Sequence, residues 1–474
     1  MSLPLIIQGG MGAAVSDWRL ARSVSRLGQL GVVSGTAIAV VLARRLQLGD
    51  PGGEVRDALA HFPKPEVARR LCAEYFIEGG KSSTAPFKPV PMPTVAPGSA
   101  LLDLTVAAAF VEVFLAKTGH SGLVGVNLLE KIQLPTLPTL YGAMLADVDY
   151  VLMGAGIPRM IPGILDKLAD NAAVELPLNV EGASPGKEFF SRFDPTPYRA
   201  GSKLRRPKFL AIVASATLAI TLAKKSNGRV DGFVVEGETA GGHNAPPRGP
   251  LQLNENGEPV YGPRDVPDLD KIRELGLPFW LAGSFGRPGK LAEARRLGAA
   301  GIQAGTVFAF CKESGIRPEL KQEALRLSRD HRAHIFTDPL ASPTGFPFKI
   351  AQIETSLSDS NVFQGRPRVC DLGYLRHLYQ TAAGEVGYRC PAEPAEDFVK
   401  KGGKAADTER RKCVCNGLTA TVGLGQMRQE SGLEPALVTA GDDFGSIADF
   451  LRPGEDSYSA ADVLEALLGR DPVV

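Results

Sequence analysis

The sequence predicts a (β/α)8 TIM barrel carrying insertions and followed by an appended C-terminal region. Three observations carry that expectation. Short apolar runs recur along residues 1–330, each ending in glycine or a polar residue and giving way to helical periodicity. The runs are largely uninterrupted, which suits parallel strands buried on both faces. Glycines cluster at the ends of the runs, on the barrel face where active sites are built.

Element by element, the runs are Pro4–Ile7, Gly31–Ser34, Leu123–Asn127, Tyr150–Met153, Glu175–Val180, Phe209–Ala214, Gly232–Val235, Pro278–Ala282 and Gly301–Gly305. Glycine follows them in Gly9-Gly10-Met11-Gly12, Gly154-Ala155-Gly156, Gly237, Gly241-Gly242, Gly283 and Gly305. Two segments exceed a minimal barrel. Residues 45–100 read as one helical stretch followed by Pro86, Pro89, Pro91, Pro93 and Pro97, a stiff extended connection. Residues 183–207, punctuated by Pro185, Pro195, Pro197 and Pro207, read as a surface excursion. Beyond about residue 330 the alternation of strand and helix stops, so residues 331–474 are expected to form a separate region.

Composition narrows the function classes. The 474 residues carry 53 Lys+Arg against 52 Asp+Glu, a net charge of +1, which leaves no electrostatic surplus for nucleic acid. A hydrophobic content of 44% is ample for a core. Six cysteines are too few for a disulfide-built secreted scaffold, and the N-terminus reads as a strand rather than a leader. The apolar runs Phe209–Ala223 and Leu104–Ala116 fall short of the ~20 residues a membrane span needs, and the second carries Glu112. A cytoplasmic protein without membrane or nucleic-acid partners is expected; homo-oligomerisation is left open.

The stretch richest in chemistry is Gly232-Phe-Val-Val-Glu-Gly-Glu-Thr-Ala-Gly-Gly-His-Asn244. A buried strand delivers a turn whose two glycines let the backbone approach a flat ligand, and His243 follows. A histidine there serves as general base or hydrogen-bond donor, unless it is simply held by loop neighbours. Next, Phe279-Trp-Leu-Ala-Gly-Ser-Phe-Gly286 and Gly301-Ile-Gln-Ala-Gly-Thr-Val-Phe308 end two successive strands in small and hydroxylated residues. Barrels commonly hold phosphate after strands seven and eight.

Five pieces in this order resemble the nitronate monooxygenase (2-nitropropane dioxygenase-like) family of FMN-dependent barrels. They are Pro4-Leu-Ile-Ile-Gln-Gly-Gly-Met-Gly12, Gly125-Val-Asn127, Ala240-Gly-Gly-His243, Ala282-Gly-Ser-Phe-Gly286 and Gly298-Ala-Ala-Gly-Ile-Gln-Ala-Gly-Thr306. The resemblance covers roughly residues 1–310. Ala-Gly-Gly-His is shared with flavin-dependent enoyl-acyl-carrier-protein reductases. The resemblance implies FMN at the barrel mouth, with Gly9, Gly10 and Met11 along the isoalloxazine and Asn127 at its polar edge. It implies Gly241 and Gly242 under the ring or ribityl chain, and Gly283, Ser284, Gly305 and Thr306 on the phosphate with Gln303 nearby. His243 takes the position of the family's catalytic base.

The implied chemistry is oxidation of alkyl nitronates or related small acidic-carbon substrates, with electrons passing to FMN and then to dioxygen. Departures mark a divergent member. Glu236 stands where the family usually has Gln, Thr239 where it has Glu, and Asn-Ala-Pro-Pro-Arg248 replaces the usual glycine-rich continuation. Two alternatives follow from the same motifs: an NAD(P)H-dependent enoyl-thioester reductase, and a flavin-binding electron-relay subunit.

Cys370, Cys390, Cys413 and Cys415 cluster in the last third beside Arg and Lys. Basic neighbours lower thiol pKa, so a zinc site, an iron–sulfur cluster and plain reduced cysteines all stay open, and metal content is undetermined from sequence. Cys311 is expected to pack among Phe308 and Phe310, and His331 and His334 to lie on a solvated helix face.

Overall fold

A computed structural model describes residues 3–199, 201 and 203–469. Eight parallel strands close a barrel: β1 (Ile6–Gln8), β2 (Leu30–Ser34), β3 (Val124–Leu129), β4 (Tyr150–Gly154), β5 (Lys208–Val213), β6 (Gly232–Glu236), β7 (Phe279–Ala282) and β8 (Gly301–Ala304). They pair in sequence order, and β1 closes on β8 with Ile6 opposite Ile302 and Gln8 opposite Ala304. The predicted barrel is therefore the observed one.

Each strand faces two apolar environments, which is why the runs lack alternation. Inside, Ile7, Val32, Leu152, Leu210, Val234 and Trp280 fill the barrel. Trp280 donates its indole N–H to the Pro4 carbonyl at 2.8 Å, satisfying the one polar group in that layer's largest side chain. Outside, Ile6, Val33, Val126, Phe209 and Phe233 pack against the surrounding helices.

One apolar run is not a barrel strand. Val174–Pro177 pairs antiparallel with Phe190–Phe193 outside the barrel. Its burial alternates residue by residue, with Val174 and Leu176 inward and Glu175 and Pro177 outward. The excursion of residues 183–207 thus contains the second strand of a small hairpin. Residues 45–100 also hold more helix than expected. A helix Ile38–Gln47 is followed by two more, Glu54–Ala60 and Pro65–Tyr75, before the proline-rich connection. Gln426 straps that connection down, accepting from Phe87 N–H at 2.7 Å and donating to its carbonyl at 3.1 Å.

The run around Leu104–Ala116 belongs to a 19-residue helix, Ser99–Lys117. Among the described residues it is the one helix long and apolar enough to cross a membrane, and 78% of its apolar window is buried within the protein. Its Glu112 sits in a polar knot. Arg45 pairs with Glu112 and reaches Asp17 at 3.0 Å, and Trp18 N–H donates to Glu112 at 3.1 Å. Burial pushes the Glu112 carboxyl up and Arg45 pulls it back.

After helix Pro318–Arg329 the pairing becomes antiparallel, β9 (Ile335–Asp338) against β10 (Phe348–Ala351). His331 and His334 lie past the end of that helix, His331 with φ +55°, so they share no helix face. A left-handed residue ends the helix there. The region beyond residue 330 shares the barrel's outer core: Phe348, Leu437, Val438 and Phe444 are buried in the same cluster as Ile6 and Phe308.

Candidate active site

The C-terminal ends of all eight strands open into one cavity. Gly9, Gly10 and Met11 follow β1, Asn127 lies on β3, and the loop after β6 supplies Gly241, Gly242 and His243. Gly283 and Ser284 follow β7, Gln303 lies on β8, and Gly305 and Thr306 follow it. All twelve residues singled out from the sequence line this space.

Their local geometry explains the residue types. A Cβ on Gly10 would stand 2.3 Å from the Asn127 Cβ, so glycine lets β1 lie against the asparagine. Gly283 and Ser284 take consecutive left-handed conformations, φ +84° and +54°, and the serine holds a strained backbone at the cavity wall. Gln303 leaves its Oε1 buried with no protein partner, and Asn244 Oδ1 is in the same condition. A buried acceptor of this kind awaits a donor.

Sequence reasoning missed that the roof of the cavity comes from the C-terminal region. Phe348, Tyr374, Leu375, Cys415, Thr439, Ala440 and Asp443 complete the lining. The segment 439–443 runs beside the β6 loop. Gly242 N–H donates to Thr439 Oγ1 at 3.0 Å, Asp442 N–H to the Thr239 carbonyl at 3.0 Å, and Gly441 N–H to Thr306 Oγ1 at 2.8 Å. A Cβ on Gly241 would meet Gly441 N at 2.7 Å, so glycine here lets the C-terminal segment pass close to the β6 loop. Asp443 accepts from Gly286 N–H at 3.0 Å and pairs with Arg287 at 2.9 Å. The one hint in the sequence is the Gly441-Asp442-Asp443 turn, which alone looks like any loop.

His243 is fixed from the same side. Its Nε2 and Ser342 Oγ are 2.6 Å apart, Ser342 in turn contacts Thr344 Oγ1 at 2.9 Å, and the ring tilts against Phe348 with centroids 4.6 Å apart. Nδ1 is left as the ring nitrogen free for a ligand. Burial drives the imidazole pKa down to about 4, with the Lys131 ammonium adding to the effect, so the ring is neutral at physiological pH. Glu236, at the end of β6, is also on the wall, and burial alone raises its carboxyl to about 7.

Cys390 beside it draws the Cys370 thiol below its ordinary range, and Asn416 Nδ2 donates to Cys413 Sγ at 3.4 Å. All six cysteines are free thiols. Among the described residues, no three or more His, Cys, Asp or Glu side chains are grouped to hold a metal ion. Cys311 is fully buried in the outer core.

Fold and site together define a parallel (β/α)8 barrel whose glycine-lined mouth is roofed by the chain's own C-terminal region. Residues 191–336 match the family model described as nitronate monooxygenase, so the resemblance read from the sequence stands over that segment. No curated protein sequence matches the chain. Among solved structures it is similar to FabK from Thermotoga maritima, at 15% identity and TM-score 0.47, covering 99% of this chain and 93% of that one. It is also similar to a nitroalkane oxidase from Streptomyces ansochromogenes, at 15% identity and TM-score 0.45, covering 99% and 95%. A third is the enoyl reductase domain of MlnA from Bacillus amyloliquefaciens, at 10% identity and TM-score 0.46, covering 99% and 94%.

Proposed function

We propose that this chain is an FMN-dependent oxidoreductase that oxidises alkyl nitronates or related small acidic-carbon substrates with dioxygen. The observation that carries this reading is the convergence of the twelve predicted residues on one cavity whose wall includes an orphaned buried acceptor. The family-model match over residues 191–336 supports an oxidoreductase of this type.

The residues present fit the cofactor. The glycine edge at Gly9 and Gly10 would accept a flat ring beside Asn127, and Gln303 Oε1 would take up a ring N–H. Gly283, Ser284, Gly305 and Thr306 would hold the phosphate. Thr306 Oγ1 accepts from Gly441 N–H but keeps its own proton to donate. The nearby Asp443 carboxylate opposes a phosphate, and Arg287 offsets that charge. When bound, FMN supplies the electron acceptance and the reaction with dioxygen.

The protein orients the substrate. His243, held through Nε2 by Ser342, presents a neutral ring whose Nδ1 would meet the substrate's nitro or nitronate group. Tyr374, Leu375 and Phe348 give the roof over this space an apolar and aromatic lining.

The test is an absorption spectrum of the purified protein, followed by anaerobic mixing with propyl-2-nitronate and, separately, NADPH. Bound flavin bleached by the nitronate is the expected result, and His243→Ala should keep the flavin while losing turnover. Rapid bleaching by NADPH with no response to nitronate would replace this reading with the enoyl-thioester reductase.

A further inference from the structure

Among the described residues the buried carboxyls have partners, whereas half-buried Glu236 on the cavity wall has none. Glu112 has Arg45, Asp103 has Arg70 and Tyr198, Glu434 has Arg366 and Arg428, and Glu393 has Lys401. Glu236 lines the cavity, yet among the described residues its carboxyl makes no hydrogen bond and no ion pair. Desolvating a carboxyl without a partner is costly, so the fold gains nothing from this side chain where it stands.

We propose that Glu236 is the proton-transferring group of this cavity: its carboxylate removes the proton from the acidic carbon of a neutral substrate, and His243 orients the anion that results. The inference rests on the oxidoreductase reading above and identifies its proton acceptor. In the step, the substrate C–H bond breaks, its electron pair stays on the substrate as the nitronate, and the proton becomes the Oε–H of Glu236. The carboxyl then releases it to solvent or product, restoring the carboxylate.

Position and surroundings support the division of labour. Glu236 ends β6 opposite Ala282 of β7, and its other neighbour, β5, ends in Ile212 and Val213, so neither flanking strand brings a charge to it. The other titratable groups on the wall are His243, Tyr374, Cys415 and Asp443, and none of them hydrogen-bonds to it. Asp443 is already taken up by Gly286 and Arg287. The Glu236 carboxyl, lifted to about 7, is matched to proton transfer near neutrality, whereas the His243 imidazole, depressed to about 4, holds an abstracted proton poorly.

The test compares 2-nitropropane, which must lose a proton, with propyl-2-nitronate, which has already lost it. Glu236→Gln should lower kcat/KM for 2-nitropropane by about 10²–10⁴-fold, a far larger loss than any it causes with propyl-2-nitronate. Wild-type rates with 2-nitropropane should rise with pH through about 7, a rise missing in Glu236→Gln and partly restored in Glu236→Asp. Independently of turnover, infrared difference spectra of the holoprotein between about pH 5 and about pH 9 should show one protonated carboxyl titrating near neutrality and absent from Glu236→Gln. Undiminished 2-nitropropane turnover in Glu236→Gln, or no such carboxyl band, overturns the assignment. If the wild type turns over neither nitro compound, the oxidoreductase reading fails and this assignment with it, whereas wild-type turnover of both with undiminished 2-nitropropane turnover in Glu236→Gln removes the assignment alone.

Discussion

Gly9 and Gly10 are neighbours on the same cavity wall, and the structure separates them sharply. A Cβ added at Gly9 would meet Gln303 and the Ala304 carbonyl at 3.5 Å, ordinary van der Waals contact. A Cβ added at Gly10 would lie 2.3 Å from Asn127 Cβ, 3.1 Å from its Cγ and 3.3 Å from Val32 Cγ1. Carbon atoms settle at about 3.5–4.0 Å, so Asn127 or β1 would have to move by about 1.2 Å or more. Asn127 is buried on β3 between β2 and β4, in register with Ser34 and Leu152, and its backbone cannot yield that distance alone. Overpacking of this kind costs about 1–3 kcal/mol. At Gly9 the same methyl reduces the freedom of the unfolded chain and is neutral to stabilising by about 0.4–1 kcal/mol. The assay is urea denaturation of Gly9→Ala and Gly10→Ala beside the wild type, with flavin content measured on the same preparations. Gly10→Ala should unfold at lower urea and lose flavin because Asn127 has shifted, while Gly9→Ala should keep its midpoint. Equal midpoints and equal flavin content in the two variants would refute the reasoning.

Two further expectations concern buried charge. Replacing Glu112 by Leu leaves Arg45 with Asp17 alone and strips the acceptor from Trp18 N–H, so a loss of about 3 kcal/mol is expected by denaturant titration, near the low end for a broken buried pair. The cavity pair sets opposite pH slopes: the lowered His243 pKa costs stability as pH falls from about 6.5 to about 4, and the raised Glu236 pKa costs stability as pH rises from about 4.5 to about 7, each about 3 kcal/mol at most. Wild-type stability should therefore be nearly flat from about pH 4.5 to about pH 6.5, falling with rising pH in His243→Asn and rising in Glu236→Gln; parallel curves for all three would contradict the assigned shifts.

The barrel was legible because its physics is repetitive. Each strand is buried on both faces and ends at a turn needing glycine, so the same signature recurs eight times. Glu175–Val180 imitated it through composition alone, although its Glu-Leu-Pro-Leu-Asn-Val alternation already described a half-exposed hairpin strand. The twelve residues that line the cavity were legible for the same reason, as strand ends and the turns that follow them. What pairing rules cannot reveal is which distant segment lies over them. Ser342, Thr439 and Asp443 reach the site across 99 to 197 residues of intervening chain, through single hydrogen bonds that leave no periodic trace. Residues 45–100 show a milder failure, since two short helices of seven and eleven residues carry too few turns to outweigh the prolines that follow.

The C-terminal region has a stronger claim on the site than on any function of its own. Its apolar residues enter the barrel's outer core rather than one apart, so the core is continuous across residue 330. Its polar contacts converge on the β6, β7 and β8 ends: Thr439 on Gly242, Gly441 on Thr306, Asp443 on Gly286 and Ser342 on His243. Buried Lys349 ties the two contacting segments together, its N–H donating to the Gly242 carbonyl and its ammonium to Asp442 at 2.6 Å. Even Cys415, one of the four clustered thiols, faces the cavity from this side. Tyr374 and Leu375 line both this cavity and a second one of about 670 Å³ that includes Lys131 and Arg376. A barrel mouth open to water would hold Glu236 as an ordinary solvated carboxylate and His243 as an ordinary imidazole. With the C-terminal residues lining that mouth, burial instead raises the Glu236 carboxyl and lowers the His243 imidazole.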